Sequence, residues 1–319
     1  MSFNSQAFAK VGQAFAIKRD TAEFTADRHI KEARQAVRGF KEIDDQIAEL
    51  GRSLGLLAMR GGSLEEVERH IDELVRRKRE LLKGAGYPAD YTDPHFWCSK
   101  CNDVGYDRTG RMCSCFRDAL IIEQLNVSGL GNLAKTQSFD SFTLKYYEKA
   151  SQDKVAVYRD RLRTYADNFK GEDEMSWLLT GGAGLGKTHL TTSAAVEIAK
   201  KGFDVLYLSE DDLFEEHREK QFGDGEADTD RFYEADLLII DDLGVAKTNN
   251  LTAPFLFSVI NKRQINGLST IINTNLSRNE MQNKYGDRIV SRLWGYYNVL
   301  QFEGIDIRMQ KLKEQLNAH

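Results

Sequence analysis

Between about residues 22 and 84, apolar residues recur at steps of four and three among abundant charges. Ile43, Ile47, Leu50, Leu54 and Leu57 make one such stripe, and Leu64, Val67, Ile71, Leu74 and Leu81 make a second. This spacing puts each set on one face of an α-helix. "RGG" at 60–62 interrupts the pattern, and Ser63 with Glu66 three positions on offers a capping box for the second helix. The pair predicts an antiparallel helical hairpin, either a plain bundle or a docking surface for another protein. Charge runs such as "VRRKRE" read as its solvated face. The first twenty residues have weak periodicity and predict a frayed segment or a short helix.

A helix follows through "CFRDALIIEQL", and beyond "FDSF" at 139–142 the pattern changes. Short apolar runs now alternate with helical lengths: "WLL" at 177–179, "FDVLYL" at 203–208, "DLLIID" at 236–241, "TIIN" at 270–273 and "VLQF" at 299–302. Such alternation predicts an α/β fold, a parallel sheet with helices on both faces. The chain therefore divides into a helical region, residues 1–130, and an α/β region, residues 131–319.

Composition narrows the picture further. At 319 residues the chain has room for two domains, and 41% of it is hydrophobic. Lys and Arg number 44 against 49 Asp and Glu, a formal charge of −5. That excludes a basic coat for nucleic acid, so any DNA contact must come from a local patch or from an assembled pore. No apolar run has the length of a membrane helix, and "MSFNSQAFAKVGQAFAIKRD" lacks the apolar core of a secretory signal, so a cytoplasmic protein with no membrane partner is expected.

The run Gly181, Gly182, Ala183, Gly184, Leu185, Gly186, Lys187, Thr188 fits G-x-x-x-x-G-K-T, with His189 next to it. Glycines allow a loop to wrap closely around phosphate oxygens, and a following helix points free N–H groups at the anion. Lys187 is suited to neutralising β- and γ-phosphate charge, and the Thr188 hydroxyl to ligating Mg²⁺. "LLIIDD" delivers Asp241 and Asp242 to the C-terminal edge of an apolar strand. Asp241 is expected in the Mg²⁺ shell, with Asp242 orienting or deprotonating the attacking water. Asn275 ends "TIINTN" with an amide suited to holding that water. "GDRIVSRLW" puts Arg288 and Arg292 four apart on one helical face, where they either pair with Asp287 or Glu303 or reach a neighbouring subunit's nucleotide.

All four cysteines fall between 98 and 115: Cys98 and Cys101 as C-x-x-C, Cys113 and Cys115 as C-x-C. Four thiolates at such spacing can share one Zn²⁺, with His95 able to replace one of them; free thiols or an iron–sulfur cluster are the alternatives. A metal would staple a small helical region whose core is thin.

The order "GAGLGKTHL", "LLIIDDLG", "NTN", "GDRIVSRL" resembles the AAA+ ATPases of the initiator and helicase-loader branch, over roughly residues 137–309. Within that branch it is similar to the DnaC/DnaI-type loaders of the replicative helicase, and it shares wording with the IstB-type transposition helper ATPases. The resemblance implies an AAA+ P-loop ATPase domain preceded by a helical, zinc-binding domain that engages the hexameric replicative helicase. Residues 181–188 would then be Walker A, Asp241 and Asp242 Walker B, Asn275 sensor I, Arg292 the arginine finger and Arg288 an accessory basic residue. It further implies ATP bound between subunits of a ring or open spiral that holds single-stranded DNA. Phe214, Arg218 and Lys220 are candidates for that contact. Only 27 residues follow Arg292, which predicts a truncated lid, and Arg308 is the candidate there for sensor II. Asp242 stands where most AAA+ enzymes have Glu, so an ATP-switched adaptor with little hydrolysis is a further alternative.

Overall fold

The structure, a computed structural model, describes residues 3–59, 65–172, 175–222, 229–245 and 252–317. Contacts divide it into two units, residues 12–116 and residues 1–11 together with 117–319.

The smaller unit is built on α1 (Ser5–Ala36, counted here from residue 12), α2 (Phe40–Met59) and α3 (Glu65–Gly84). Where the sequence predicts a frayed start or a short helix, α1 is 32 residues long. Its buried positions in this unit are Phe15, Ala22, Ala26 and Ala33. Alanine has high helix propensity but little apolar bulk, so a face built from it gives weak periodicity. The hairpin forms from α2 and α3, with Ile43 and Leu74 buried and Ile47, Leu50, Val67 and Ile71 half-buried. Its core adds Phe40 and Leu82, both fully buried with Ala33 and Val37, while Leu81 packs beside them partly exposed. Ser63, Leu64 and the side chains of Leu54 and Leu57 lie outside the described residues.

One ionic cluster ties the three helices together. Asp44 on α2, 13% exposed, accepts from Lys78 Nζ of α3 at 2.9 Å and from Arg34 of α1 at 2.6 Å. Burial disfavours the Asp44 carboxylate, but hydrogen bonds from Lys78 and Arg34 outweigh it and hold its pKa below the ordinary value.

In the larger unit, α4 (Ser114–Val127, counted here from residue 117) and α5 (Lys149–Asn168) precede a sheet. The strands are β1 (Trp177–Thr180), β2 (Val205–Ser209), β3 (Leu237–Leu243), β4 (Ser269–Thr274) and β5 (Asn298–Gln301). Between them run α6 (Lys187–Lys200), α7 (Glu210–Phe222), α8 (Arg231–Glu234), α9 (Thr252–Ile265), α10 (Arg278–Tyr285) and α11 (Asp287–Tyr296), with α12 (Ile307–Asn317) last. All pairings are parallel, in the order β2-β3-β4-β1-β5. Strand alternation sends Leu179, Ile239 and Ile271 to one face, against Leu162 of α5 and Leu190 and Ala194 of α6. Leu178, Leu238, Ile240 and Ile272 go to the other face, against Leu256 and Val259 of α9 and Ile289 and Leu293 of α11. Both faces are covered, which is why these strands read as continuous apolar runs. No helix among the described residues is long and apolar enough to cross a membrane.

Candidate functional site

The glycine-rich run leaves β1 and wraps into α6, which begins at Lys187. Two glycines mark positions where the loop tolerates no side chain. Gly181 has φ +135°, and a Cβ there would sit 2.2 Å from the Phe302 carbonyl oxygen. Gly184 has φ +69°, and its Cβ would sit 1.9 Å from Asp306 Oδ1. Residues 302–307 thus close over the loop, and Ile307 N donates to Gly184 O at 3.0 Å.

Lys187 is buried, and its ammonium donates to Gly181 O at 2.6 Å, Gly182 O at 2.7 Å and Asn275 Oδ1 at 2.8 Å. Burial lowers its pKa to about 8, Asp242 and Asp241 pull it upward, and Arg308 adds to the lowering. Thr188 Oγ1 donates to Asp241 Oδ1 at 3.3 Å, so the two oxygens expected around Mg²⁺ are neighbours.

A one-residue bulge separates the two acids of β3. Ile240 pairs with Ile272 and Leu243 with Thr274, so three steps on β3 face two on β4. Asp242 occupies the bulge with φ +53° and is exposed, whereas Asp241 is buried. Burial and then the Asp241 charge raise the Asp242 pKa, opposed by Lys187 and Arg308. Asp241 is held by two residues that the sequence reading passed over. Asn273 Nδ2 donates to its Oδ1 at 2.8 Å, and the Tyr207 hydroxyl donates to its Oδ2. Burial, then the Asp241 charge, pushes the Tyr207 phenol far above its ordinary pKa. Both left a trace in the sequence: a hydroxyl-bearing residue inside the apolar "VLYL", and an asparagine two positions before Asn275 on the same strand face.

Ala183, Gly184, Leu185, Gly186, Lys187, Thr188 and His189 line a cavity of about 380 Å³ together with Asp242, Asn275 and Arg308, within the range of ligand pockets. His189 Nε2 lies 2.8 Å from Ser138 O and edge-on to Phe142, and burial lowers its pKa. Lys311 of α12 also lines the cavity, a second cation beside Arg308 that the sequence reading did not single out.

Three expected residues lie elsewhere. Arg292 does not line this cavity; it donates to Gln264 Oε1 at 3.0 Å and lies over the Phe257 and Tyr296 rings. Arg288 is exposed on the same helix. Their suggested structural partners are engaged by others, Asp287 by Gln282 and Glu303 by Lys154. Phe214 is buried in the core against Phe255, so it offers no stacking surface for a base; the apolar face of α7 took it inward. Arg218 and Lys220, on the same helix, are exposed.

In the smaller unit the four cysteines converge, their sulfurs all within 4.8 Å of one another. Cys98 and Cys113 are 3.8 Å apart, and Cys101 and Cys115 are 3.5 Å apart. A tetrahedron with Zn–S of about 2.3 Å has edges of about 3.8 Å, whereas a disulfide needs about 2.05 Å, so the sulfurs fit a metal. The first knuckle turns through Asn102 and Asp103, both at positive φ. Asp103 clamps it by accepting from Trp97 N at 2.8 Å and Cys98 N at 2.9 Å. Backbone hydrogen bonding at Cys101 lowers the Cys98 pKa to about 7, whereas burial raises those of Cys101 and Cys115, so a cation in their midst would favour the thiolate form of the latter two. His95 is exposed beside Asp90 and is not part of this group.

Comparison with known proteins places these features in context. The family described as IstB-like ATP binding protein matches residues 121–314. The phage-like element PBSX protein XkdC of Bacillus subtilis is 28% identical over 224 residues, 66% of this chain and 83% of that protein. The replicative helicase loader DnaC of Escherichia coli K12 is 23% identical over 239 residues, 72% of this chain and 94% of that protein. A crystal structure of the DnaC helicase loader superposes with a TM-score of 0.46 at 24% identity, covering 54% of this chain and 99% of that one.

Proposed function

The chain belongs to the IstB-like ATP-binding family, and on that premise we propose that it is an ATP-driven loader that helps place the hexameric replicative helicase on single-stranded DNA. One observation carries the reading: a cavity lined by the glycine-rich loop and four cysteines spaced to hold a metal stand in one chain whose similarity spans 94% of a helicase loader.

The geometry supports the following roles. The loop amides from Gly181 to Thr188 and the Lys187 ammonium take the phosphates, with Arg308 facing the same cavity as a lid-borne cation. Thr188 and Asp241 are the oxygens for Mg²⁺, which when bound offsets charge on the phosphates. Tyr207 and Asn273 fix the Asp241 rotamer by taking its oxygens. Asp242, at the exposed tip of the bulge and with a raised pKa, orients or deprotonates the attacking water, and Asn275 holds that water from the other side. Arg292 lies outside its own chain's cavity, which supports a role on a neighbouring copy's nucleotide, with Arg288 beside it. Hydrolysis is accordingly slow until copies assemble. Arg218 and Lys220 of α7 offer charge to a DNA backbone. The cysteine cluster holds Zn²⁺ and keeps the helicase-gripping region folded.

The test mixes the full chain with the replicative helicase of its own cell, with ATP, and measures complex formation and helicase transfer to a single-stranded circle. A stable complex and ATP-dependent transfer are expected. Failure of both overturns the loader reading. A second reading, a helper ATPase for a transposase, draws on similarity to the protein named as ATP-binding in insertion sequence IS5376, 28% identical over 144 residues, and capture of the transposase instead of the helicase would select it.

A further inference from the structure

Glu210 is the first residue of α7, and it is buried. Its Oε2 accepts from Gly244 N at 2.8 Å, and its Oε1 accepts from the Tyr285 hydroxyl. Lys284, next to Tyr285 on α10, donates to Gly244 O. Both polar atoms of Gly244 are therefore held by side chains, the N–H from α7 and the carbonyl from α10. Gly244 lies two residues beyond Asp242 and has φ +116°; a Cβ there would meet Leu276 at 2.6 Å. Val245 N donates to Asp242 O at 3.2 Å, closing a tight turn whose first residue is the exposed acid.

A non-glycine residue at φ +53° is strained, and such strain persists only where the surroundings over-determine the backbone. On the β4 side, Thr274 Oγ1 donates to Leu243 O at 2.6 Å and fixes the residue just before the glycine. Asp242 N donates to Asp241 Oδ1 at 3.1 Å on the strand side of the turn, and beyond it Gly244 is held through its N–H by Glu210 and through its carbonyl by Lys284. Glu210 is not among the residues lining the cavity, so it has no direct contact with substrate to make there.

We propose that Glu210 is a positioning residue for ATP hydrolysis, holding the turn after β3 so that Asp242 keeps its left-handed backbone and its aim into the cavity. The inference rests on the role given to Asp242 under Proposed function.

The experiment uses the full chain under conditions that support its ATP turnover and compares Glu210→Ala, Glu210→Gln, Tyr285→Phe and Asp242→Asn. Displacing a reacting group by about 1 Å costs on the order of a hundredfold, so Glu210→Ala should lower kcat by about that factor. Nucleotide affinity and KM should stay within about threefold of the parent, because the phosphate loop is untouched, and this split separates positioning from general collapse. Glutamine keeps an oxygen for Gly244 N–H, and its amide can donate to a reoriented Tyr285 hydroxyl, so Glu210→Gln should restore most of the rate. Tyr285→Phe removes one of the two bonds and should lower kcat by about tenfold, a milder readout should the alanine variant fail to fold.

Lost turnover in Asp242→Asn with parental turnover in Glu210→Ala, or in Tyr285→Phe where the alanine variant does not fold, overturns the proposal alone. A fall in nucleotide affinity equal to the fall in kcat also overturns it. Parental turnover in Asp242→Asn defeats the underlying reading and the proposal with it. Where turnover is too slow to measure, a crystal structure of Glu210→Ala decides: Asp242 leaving positive φ supports the proposal, and Asp242 retaining it refutes the proposal.

Discussion

Raising the pH from 7 to 9 should weaken ATP binding to this chain about tenfold, because Lys187, proposed above to take the phosphates, loses its proton in the ligand-free cavity. Lys187 is buried among Gly181 O, Gly182 O and Asn275 Oδ1, and burial lowers its pKa to about 8. The charged groups acting on it are Asp242, Asp241 and Arg308, the two acids favouring the proton and the arginine disfavouring it. A phosphate anion favours the ammonium form, so the bound state has the higher pKa. Affinity is therefore fully present below about pH 8 and declines as pH rises above it, where binding must recruit a proton. A group with a pKa of about 8 is roughly 10% neutral at pH 7 and roughly 90% neutral at pH 9, which gives the tenfold change. Calorimetry in EDTA, so that no divalent ion shares the cavity, reads both affinity and proton uptake when repeated in buffers of different ionisation enthalpy. Lys187→Arg stays charged throughout and should flatten the profile. An affinity that is level from pH 7 to 9 in the parent chain, without proton uptake, would refute the reasoning.

Other expectations follow from the same geometry. Asp44→Ala strands Lys78 and leaves Arg34 with Asp45 alone, and should cost the smaller unit about 2 kcal/mol, measured by urea unfolding of the full chain. Because the Asp44 pKa is depressed in the fold, its contribution is present above the unfolded carboxylate pKa and vanishes as pH falls through the folded one; acid titration of the parent should therefore narrow the gap to the variant. Cys113→Ser should abolish stoichiometric zinc by elemental analysis and loosen residues 12–116 in hydrogen exchange, while ATP affinity holds. Arg292→Ala should bind ATP normally yet lose the rise in turnover with protein concentration; a rise that persists places the finger elsewhere.

How much of this was legible in the sequence varied with the physics of each element. All five strands were readable because both faces of the sheet are covered, which demands unbroken apolar runs such as "LLII". The phosphate loop was readable because glycine alone fits at Gly181 and Gly184. The length of α1 was hidden because its buried face is largely alanine. The bulge at Asp242 was hidden as well: "IIDDL" reads as uniform strand, and only the register against Thr274 reveals the extra residue. Tyr207 and Asn273 escaped because their importance arises from a long-range meeting with Asp241 that no local pattern encodes. Phe214 was misjudged because an aromatic on a charged helix can point either way until the helix is packed.

The strand order also dictates when in its own synthesis the chain becomes able to hold a nucleotide. Strand β1, from which the phosphate loop departs, takes its neighbours from β4 and β5, both translated about a hundred residues after it. The Phe302 and Asp306 groups that crowd the loop are made later still. A nascent chain halted before residue 298 would carry Gly181 to Thr188 with Asp241 and Asp242 and still lack the strand that flanks β1, so the cradle is complete only after β5 and the residues that follow it have been made.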